Sequence, residues 1–367
     1  MGRNTQDQWI SKKIHRILAS PVGPAGCRLE YRLGQEKTPL LHRFFLFAYR
    51  LGAKVVYGNP DQGEWIYERI RRPRTALTAV INVAYFKLKI PKIWGPLTVM
   101  IEPVFGCNLK CKYCWGTWDI EETKRPHLMS EEIFRRVIDN LPSTAETVTF
   151  SLVGEPLLHP GLGDMIEYVY RKGHRALLFT NGTLLTGERL EMVARSKLSV
   201  VTISIEPDPV TARENRGVDL DQIRANVREL RRIKRPDMQI KASCVVTPNN
   251  INRLDNIRTY WDGLIYQFKF IPCLYDTGDE RPKMCLEMWR GNFNVHTNGE
   301  VSLCCFDVHG DLTIGNILET RLHDIINGPR MRQILTDTIR GNPPTRCLTC
   351  RQFEKSLPSP PSTKHRL

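Results

Sequence analysis

"EPVFGCNLKCKYCWG", residues 102–116, places Cys107, Cys111 and Cys114 in one loop, directly after an apolar run, PLTVMIEP, that reads as a strand. Thiolates at x3 and x2 spacing point to a metal centre. A structural zinc site takes four ligands, and a catalytic one usually three plus water. A disulfide needs an oxidising compartment, and the first residues, MGRNTQDQWISKK, lack the apolar h-region of a secretory signal. A cubane [4Fe-4S] cluster is the other candidate, with three irons on thiolates and the fourth left open. On spacing alone, zinc and iron both stay open.

Working outward from the loop, strands alternate with helices. After PLTVMIEP come the helix SEEIFRRVIDNL, with Ser130 as N-cap and two Glu in its first turn, and the strand TVTFSLVG. Further strands are read at ALLFTNG, LSVVTISIEP, MQIKASCVV and LIYQFKFIP, separated by helices around GLGDMIEYVYRKG, ERLEMVARS, DLDQIRANVRELRRI and INRLDNIRTYW. This rhythm predicts right-handed βαβ units and a parallel sheet. Six strands are too few for a closed (β/α)8 barrel, so the expected fold is α/β, a partial (β/α)6 TIM-like barrel. Ligands of such sheets sit at the C-terminal strand ends, where CNLKCKYC, GEP, TNG and IEP all fall.

The expected organisation is a mainly helical N-terminal extension over 1–95, the barrel over 96–280, a small cysteine-bearing domain over 281–352 and a Pro/Ser-rich disordered tail over 353–367. The extension mixes aromatic and aliphatic residues with Arg and Lys, as in LHRFFLFAYRLGAKVVY and TALTAVINVAYFKLKI. It reads as helices packed on the barrel, or as an amphipathic face for a membrane or lipid. The start MGRNTQ misses the myristoylation pattern, no apolar run reaches the ~18 residues of a membrane span, and a cytoplasmic protein is expected. The formal charge of +14 invites nucleic acid, but there is no helix-turn-helix, RNP-type sequence or zinc-finger pairing, so no nucleic-acid partner is expected.

In its cysteine loop the chain resembles the radical S-adenosylmethionine (SAM) superfamily, whose signature is C-x3-C-x2-C after the first barrel strand; the resemblance covers roughly residues 97–275. Tyr113 stands where relatives pack the adenine, Gly154-Glu155 matches the element that receives the methionyl amino group, and Ser204 and Glu206 match polar positions near the ribose. SIEPDPVTARENRG, ending Arg216-Gly217, is similar to the family's continuation, with Glu206-Pro207 in place of the common Asp-Gly. The resemblance implies SAM on the open iron, reductive cleavage to a 5′-deoxyadenosyl radical, and a flavodoxin- or ferredoxin-type reductant.

Cys285, Gly299 and Cys304 fit C-x13-G-x4-C, and Cys347 and Cys350 add C-x2-C. This resembles a shortened, twitch-type SPASM extension. It implies a second, auxiliary [4Fe-4S] cluster fully ligated by Cys285, Cys304, Cys347 and Cys350, with Cys304 preferred over Cys305; a four-cysteine zinc site is the alternative. Of the remaining cysteines, Cys27, Cys244, Cys273 and Cys305, Cys244 reads as core, whereas Cys273 follows strand six in FIPCLYD at the mouth of the barrel.

A thiol there could return hydrogen to a substrate radical, so the expected reaction is epimerisation of a sugar-type or other natural-product substrate with Cys273 as hydrogen donor. The alternatives are alcohol dehydrogenation with the auxiliary cluster as electron acceptor and, third, peptide maturation. A non-enzymatic iron–sulfur carrier or zinc-stabilised interaction module would need neither Glu155 at a strand end nor the βα repeat. Lys241, Lys269, Tyr275 and Asp276 are candidate polar groups for substrate.

Overall fold

The computed structural model describes residues 72–114, 127–247, 249–272, 285–305, 307 and 310–348. Cys27, Cys273, Tyr275, Asp276, Cys350, most of the N-terminal extension and the tail lie outside the described residues.

The chain forms the partial α/β barrel expected from its rhythm. Its strands are β1 (Thr98–Ile101), β2 (Thr147–Phe150), β3 (Arg175–Thr180), β4 (Leu198–Ser204), β5 (Gln239–Val246) and β6 (Gln267–Pro272). All are parallel and lie in sequence order, as right-handed crossovers require. Their runs are almost wholly apolar or Thr-rich because helices cover the outer face, and TVTF of β2 is buried at every position.

The covering helices are set by caps and by apolar spacing. In α2 (Glu131–Asp139), Ser130 Oγ accepts from Ile133 N at 3.3 Å, and Ile133, Phe134, Val137 and Ile138 face the sheet. After α3 (Leu162–Arg171) and α4 (Gly187–Arg195), Asp208 caps α5 (Pro209–Arg216), which closes on Gly217 in the left-handed conformation. The sequence reading took this stretch as a motif and missed the helix. Asp208-Pro209 and Gly217 are its start and stop signals. Next, α6 (Leu220–Ile233) buries Leu220, Ile223, Val227 and Leu230 behind the Asp219 cap. The predicted helix at 251–261 is broken into a 3-10 turn, Ile251–Arg253, and the short α7 (Asn256–Tyr260).

Beyond residue 285 the chain returns to the same sheet. β7 (Asn292–Val295), β8 (Glu300–Ser302) and β9 (Thr313–Asn316) extend it past β1, giving the order β6-β5-β4-β3-β2-β1-β7-β8-β9. β7 runs parallel to β1, with Thr98 opposite Asn292 and Ile101 opposite Val295, while β8 and β9 continue antiparallel. A tight turn at Thr297-Asn298-Gly299 joins β7 to β8, Gly299 N donating to His296 O at 2.9 Å. The helices α8 (Leu322–Ile325), α9 (Pro329–Ile339) and α10 (Thr345–Leu348) follow. Before the barrel, α1 (Pro73–Lys87) lies against this end of the sheet: Asn82 Oδ1 accepts from Trp94 N at 2.8 Å, Trp289 Nε1 donates to Ile90 O at 2.9 Å, and Phe86 meets Trp289 edge-on at 5.6 Å.

Gly299 is confined by its surroundings. Its φ is +83°, and a Cβ there would stand 2.8 Å from Asn316 Oδ1, which is itself held by Leu318 N at 2.9 Å. Gly299→Ala should therefore destabilise the protein by about 1–3 kcal/mol, read as a lowered midpoint in denaturant unfolding.

Candidate active site

Three strand ends converge on the cysteine loop. The loop leaves β1, and its base is clamped by the turn after β2. Glu155 N donates to Gly106 O at 2.9 Å, and the turn approaches so closely that a Cβ on Gly154 would lie 1.9 Å from Val104 O and 2.6 Å from Gly106 O. Gly154 is thus required by backbone packing under the cysteine loop.

Glu155 is buried. Its carboxylate accepts from Thr180 Oγ1 at 2.8 Å and Leu157 N at 3.1 Å through Oε1, and from Asn181 N at 2.8 Å through Oε2. Burial pushes its pKa up, with those three donors opposing. Among the described residues no cation forms an ion pair with it. Its negative charge acts on Cys107, whose thiol is raised chiefly by burial.

The end of β3 supplies residues the sequence reading did not assign. Asn181 Nδ2 donates to Asn108 Oδ1 at 2.9 Å and stands 3.7 Å from Cys107 Sγ; Asn108 Nδ2 donates to Thr183 Oγ1 at 2.8 Å. Asn181 and Thr183 therefore clasp the first cysteine and its neighbour, while Thr180 is spent on Glu155. The signal was present as TNG at a strand end facing CN after the first cysteine.

The far side of the loop is tied to β4. Tyr113 Oη donates to Glu206 Oε1 at 2.5 Å, Arg216 Nε donates to the same oxygen at 3.1 Å, and the guanidinium lies 5.3 Å from the Tyr113 ring centre. Glu206 Oε2 accepts from Asn215 Nδ2 at 3.0 Å and Asn250 Nδ2 at 2.9 Å. Both oxygens of the fully buried Glu206 are thus engaged within the chain, so a ribose hydroxyl would have to share or displace a partner. Tyr113 is raised by burial, with Arg216 opposing; burial works against the Arg216 charge, but Tyr113 and Glu206 hold its pKa above the ordinary value. Ser204, half-buried, ends β4 opposite Ser243 of β5. Lys241 and Lys269 lie on β5 and β6.

Cys107, Cys111 and Cys114 are free thiols that influence one another electrostatically. Burial pushes Cys111 up to about 11, with Arg216 opposing. Among the described residues no group of three His, Cys, Asp or Glu closes on a single ion. Three spaced thiols, beside a buried carboxylate with no counter-cation among the described residues, suit a multi-iron cluster with an ammonium-bearing ligand.

Two family models match this architecture: the radical SAM superfamily over residues 101–259 and the SPASM iron–sulfur cluster-binding domain over 285–351. Residues 101–259 are a radical SAM domain. The chain carries a C-terminal SPASM-type domain, and its cofactors are SAM and an iron–sulfur cluster in each domain. The chain is 28% identical over 169 residues to a tungsten-containing aldehyde ferredoxin oxidoreductase cofactor-modifying protein of Pyrococcus furiosus, covering 44% of this chain and 46% of that one. It is 27% identical over 151 residues to an AdoMet-dependent heme synthase of Oleidesulfovibrio alaskensis, covering 41% and 38%. The chain thus matches less than half the length of these relatives. Streptococcus suis SuiB bound to the precursor peptide SuiA shares the fold, with a TM-score of 0.54 at 15% identity over 77% of this chain and 76% of that one.

In the SPASM-type region, Cys285 precedes the 3-10 turn Leu286–Trp289, Cys304 follows β8 and packs partly buried against the core, Cys305 is exposed, and Cys347 is buried in α10. Cys244 is buried in β5, as expected, and burial raises its thiol pKa.

Because the Gly154 contact is with backbone, Gly154→Ala should lower iron and sulfide incorporation into the loop severalfold and weaken the fold. Gly161→Ala, whose Cβ would meet only His159 at an ordinary 3.4 Å, should leave both unchanged. Iron and sulfide assays on the reconstituted variants, with thermal unfolding, check this.

Proposed function

We propose that Cys107, Cys111 and Cys114 hold the SAM-binding cluster and that Glu155 receives the SAM ammonium. The observation that supports this reading is the buried Glu155 carboxylate beside Cys107, hydrogen-bonded three times yet with no counter-cation among the described residues. A buried carboxylate of this kind favours a cationic guest. When bound, the cluster and SAM supply the radical that takes hydrogen from a substrate carbon; the chain's own residues bind, orient and exclude water. Tyr113 presents its ring beside the loop while Glu206 and Arg216 hold it there, and Ser204 and Glu206 border the ribose end. Glu206 acts there chiefly as the support of Tyr113, since its oxygens are already engaged.

The auxiliary cluster is assigned to Cys285, Cys304, Cys347 and Cys350; the partial burial of Cys304, against the exposure of Cys305, favours Cys304. The reaction we favour is epimerisation of a carbohydrate or similar small molecule. Cys273, the residue after the end of β6, would donate a hydrogen atom from its thiol to the substrate radical, inverting one carbon. The thiyl radical left on sulfur would take one electron from the reduced auxiliary cluster and one proton from solvent to restore the thiol. The second reading, alcohol dehydrogenation, is favoured by the auxiliary strands being hydrogen-bonded into the barrel sheet through β1 and β7, which joins an electron acceptor rigidly to the site. A flavodoxin- or ferredoxin-type protein would supply the electrons.

Anaerobically reconstituted protein given SAM and a strong reductant should release methionine and 5′-deoxyadenosine. In Glu155→Gln the Kd for SAM should rise by about ten- to a hundredfold, the loss of one charge-assisted hydrogen bond, with the cluster's electron paramagnetic resonance intensity unchanged. Normal SAM affinity in that variant would remove Glu155 from the site.

Incubation with sugars and aminocyclitols in deuterated water separates the two reactions. Epimerisation predicts one solvent deuterium at an inverted carbon in the wild type and none in Cys273→Ala. A ketone formed without deuterium uptake, equally by both proteins, would establish dehydrogenation instead.

A further inference from the structure

The helix α1 spends little of its aliphatic surface on the core. Its fully buried residues are small or polar, Thr75, Ala76, Thr78, Ala79 and Asn82, with Asn82 spent on Trp94 N and Gly95 O, while Tyr85 and Phe86 pack partly buried against the core. Its large aliphatic residues point the other way. Leu77 is 59% exposed and Val80 61%, and with half-buried Ile81 and Ala84 and the capping Leu88, 69% exposed, they make one stripe at helical spacing. Trp94, just beyond, is 54% exposed. Four of the eight large hydrophobic residues exposed among the described residues fall in this one short stretch.

The charge in the same stretch has one sign. Residues 72–94 contain Arg72, Arg74, Lys87, Lys89 and Lys92, all exposed, and no Asp or Glu. Every fully exposed residue of the segment is therefore a cation or a large hydrophobic. Isolated exposed hydrophobics are ordinary on a protein surface, but a continuous apolar stripe bordered by Lys and Arg is not. A solvated helix would be expected to show the reverse arrangement.

We propose that α1 and the Leu88–Trp94 segment dock this enzyme on an anionic lipid bilayer. The stripe would enter the acyl boundary, Trp94 would sit at headgroup depth, and the five cations would meet anionic headgroups. Charge complementarity selects this occupant. Residues 1–71, the covering segment nearest in sequence, carry twelve Lys and Arg against six Asp and Glu, so they add positive charge rather than neutralise it. A second copy of the same basic face would repel the first. No helix among the described residues is long and apolar enough to cross a membrane, so this is surface binding and not a span. The consequence for the chemistry is location: the barrel would work beside a membrane, on a substrate presented there.

Co-sedimentation of the full chain with vesicles tests this, using phosphatidylcholine alone and phosphatidylcholine with phosphatidylglycerol, at low and physiological salt. The wild type should bind the anionic vesicles and leave neutral ones largely unbound. Leu77→Ser with Val80→Ser should weaken binding about tenfold, and Lys87→Gln with Lys89→Gln and Lys92→Gln about a hundredfold, with loss of salt dependence. Cluster content and circular dichroism equal to wild type show that the variants fold. If the wild type fails to bind anionic vesicles, or if folded variants bind as well as it does, the proposal is overturned. It is equally overturned if the wild type is a dimer in light scattering that the serine variant splits, since the stripe then covers a second copy. These readouts do not depend on SAM cleavage, so their failure leaves the catalytic reading standing.

Discussion

The buried Glu206–Arg216 pair is the constraint around which the site is assembled. Taking two charges out of water costs several kcal/mol per ion unless the remaining polar atoms are satisfied. Here they are met from four separate parts of the chain: Tyr113 from the cysteine loop, Glu206 from the end of β4, Asn215 and Arg216 from the end of α5, and Asn250 from the connection after β5. Losing Glu206 or Arg216 would leave the other charge uncompensated, and losing Tyr113, Asn215 or Asn250 would remove a hydrogen bond from the buried carboxylate. Arg216 also leans over the Tyr113 ring, and Lys112 N donates to Asn215 O at 2.8 Å. The loop carrying Cys111 and Cys114 is therefore held by residues roughly a hundred positions later in the chain. A local motif has become a tertiary structure.

The other side of that loop is held by different physics. Gly154 and Gly106 are pressed together at backbone distance, and the Asn181–Asn108–Thr183 bonds fix the first cysteine. Van der Waals exclusion on one side and a charged hub on the other leave the loop little freedom. Such preorganisation would suit the holding of a cluster by the three thiols, since their positions are fixed before a ligand arrives. Among the described residues, the buried Glu155 carboxylate is compensated by hydrogen bonds alone.

Much of this fold was legible in the sequence because the strands are short, apolar and separated by capped helices. The Ser130 cap and the helix around DLDQIRANVRELRRI were read correctly. What escaped was long-range pairing. Glu206 matched a polar position near the ribose, and nothing local announced that Tyr113, Asn215, Arg216 and Asn250 would consume its oxygens. The helix α5 was overlooked because its eight residues were absorbed into a motif. The periodicity of α1 was visible as amphipathic character, but only the packing showed that the aliphatic stripe faces outward, since the fully buried positions are Thr, Ala and Asn, beside the partly buried Tyr85 and Phe86. Gly154 was read as part of a ligand-binding element, whereas the close approach of Val104 O shows a steric requirement that no spacing rule expresses.

The placement of the auxiliary strands follows from the sheet order. They could have been joined to the barrel by a flexible linker or added beside β6. Instead β7 pairs with β1, the strand that launches the cysteine loop. The junction is reinforced by buried polar contacts: Glu102, the residue after β1, accepts from Thr297 N at 3.3 Å and faces His296 Nδ1 at the same distance, and His296 Nε2 meets Ser302 Oγ at 2.9 Å. Glu102 lies five residues before Cys107, and Ser302 two before Cys304. Strand hydrogen bonds and a buried Glu–His–Ser chain thereby tie the segment before Cys107 to the one before Cys304. Such a junction resists opening because each buried polar group would lose its partner on separation. The sheet therefore holds the segments bearing Cys107 and Cys304 in one continuous hydrogen-bonded structure.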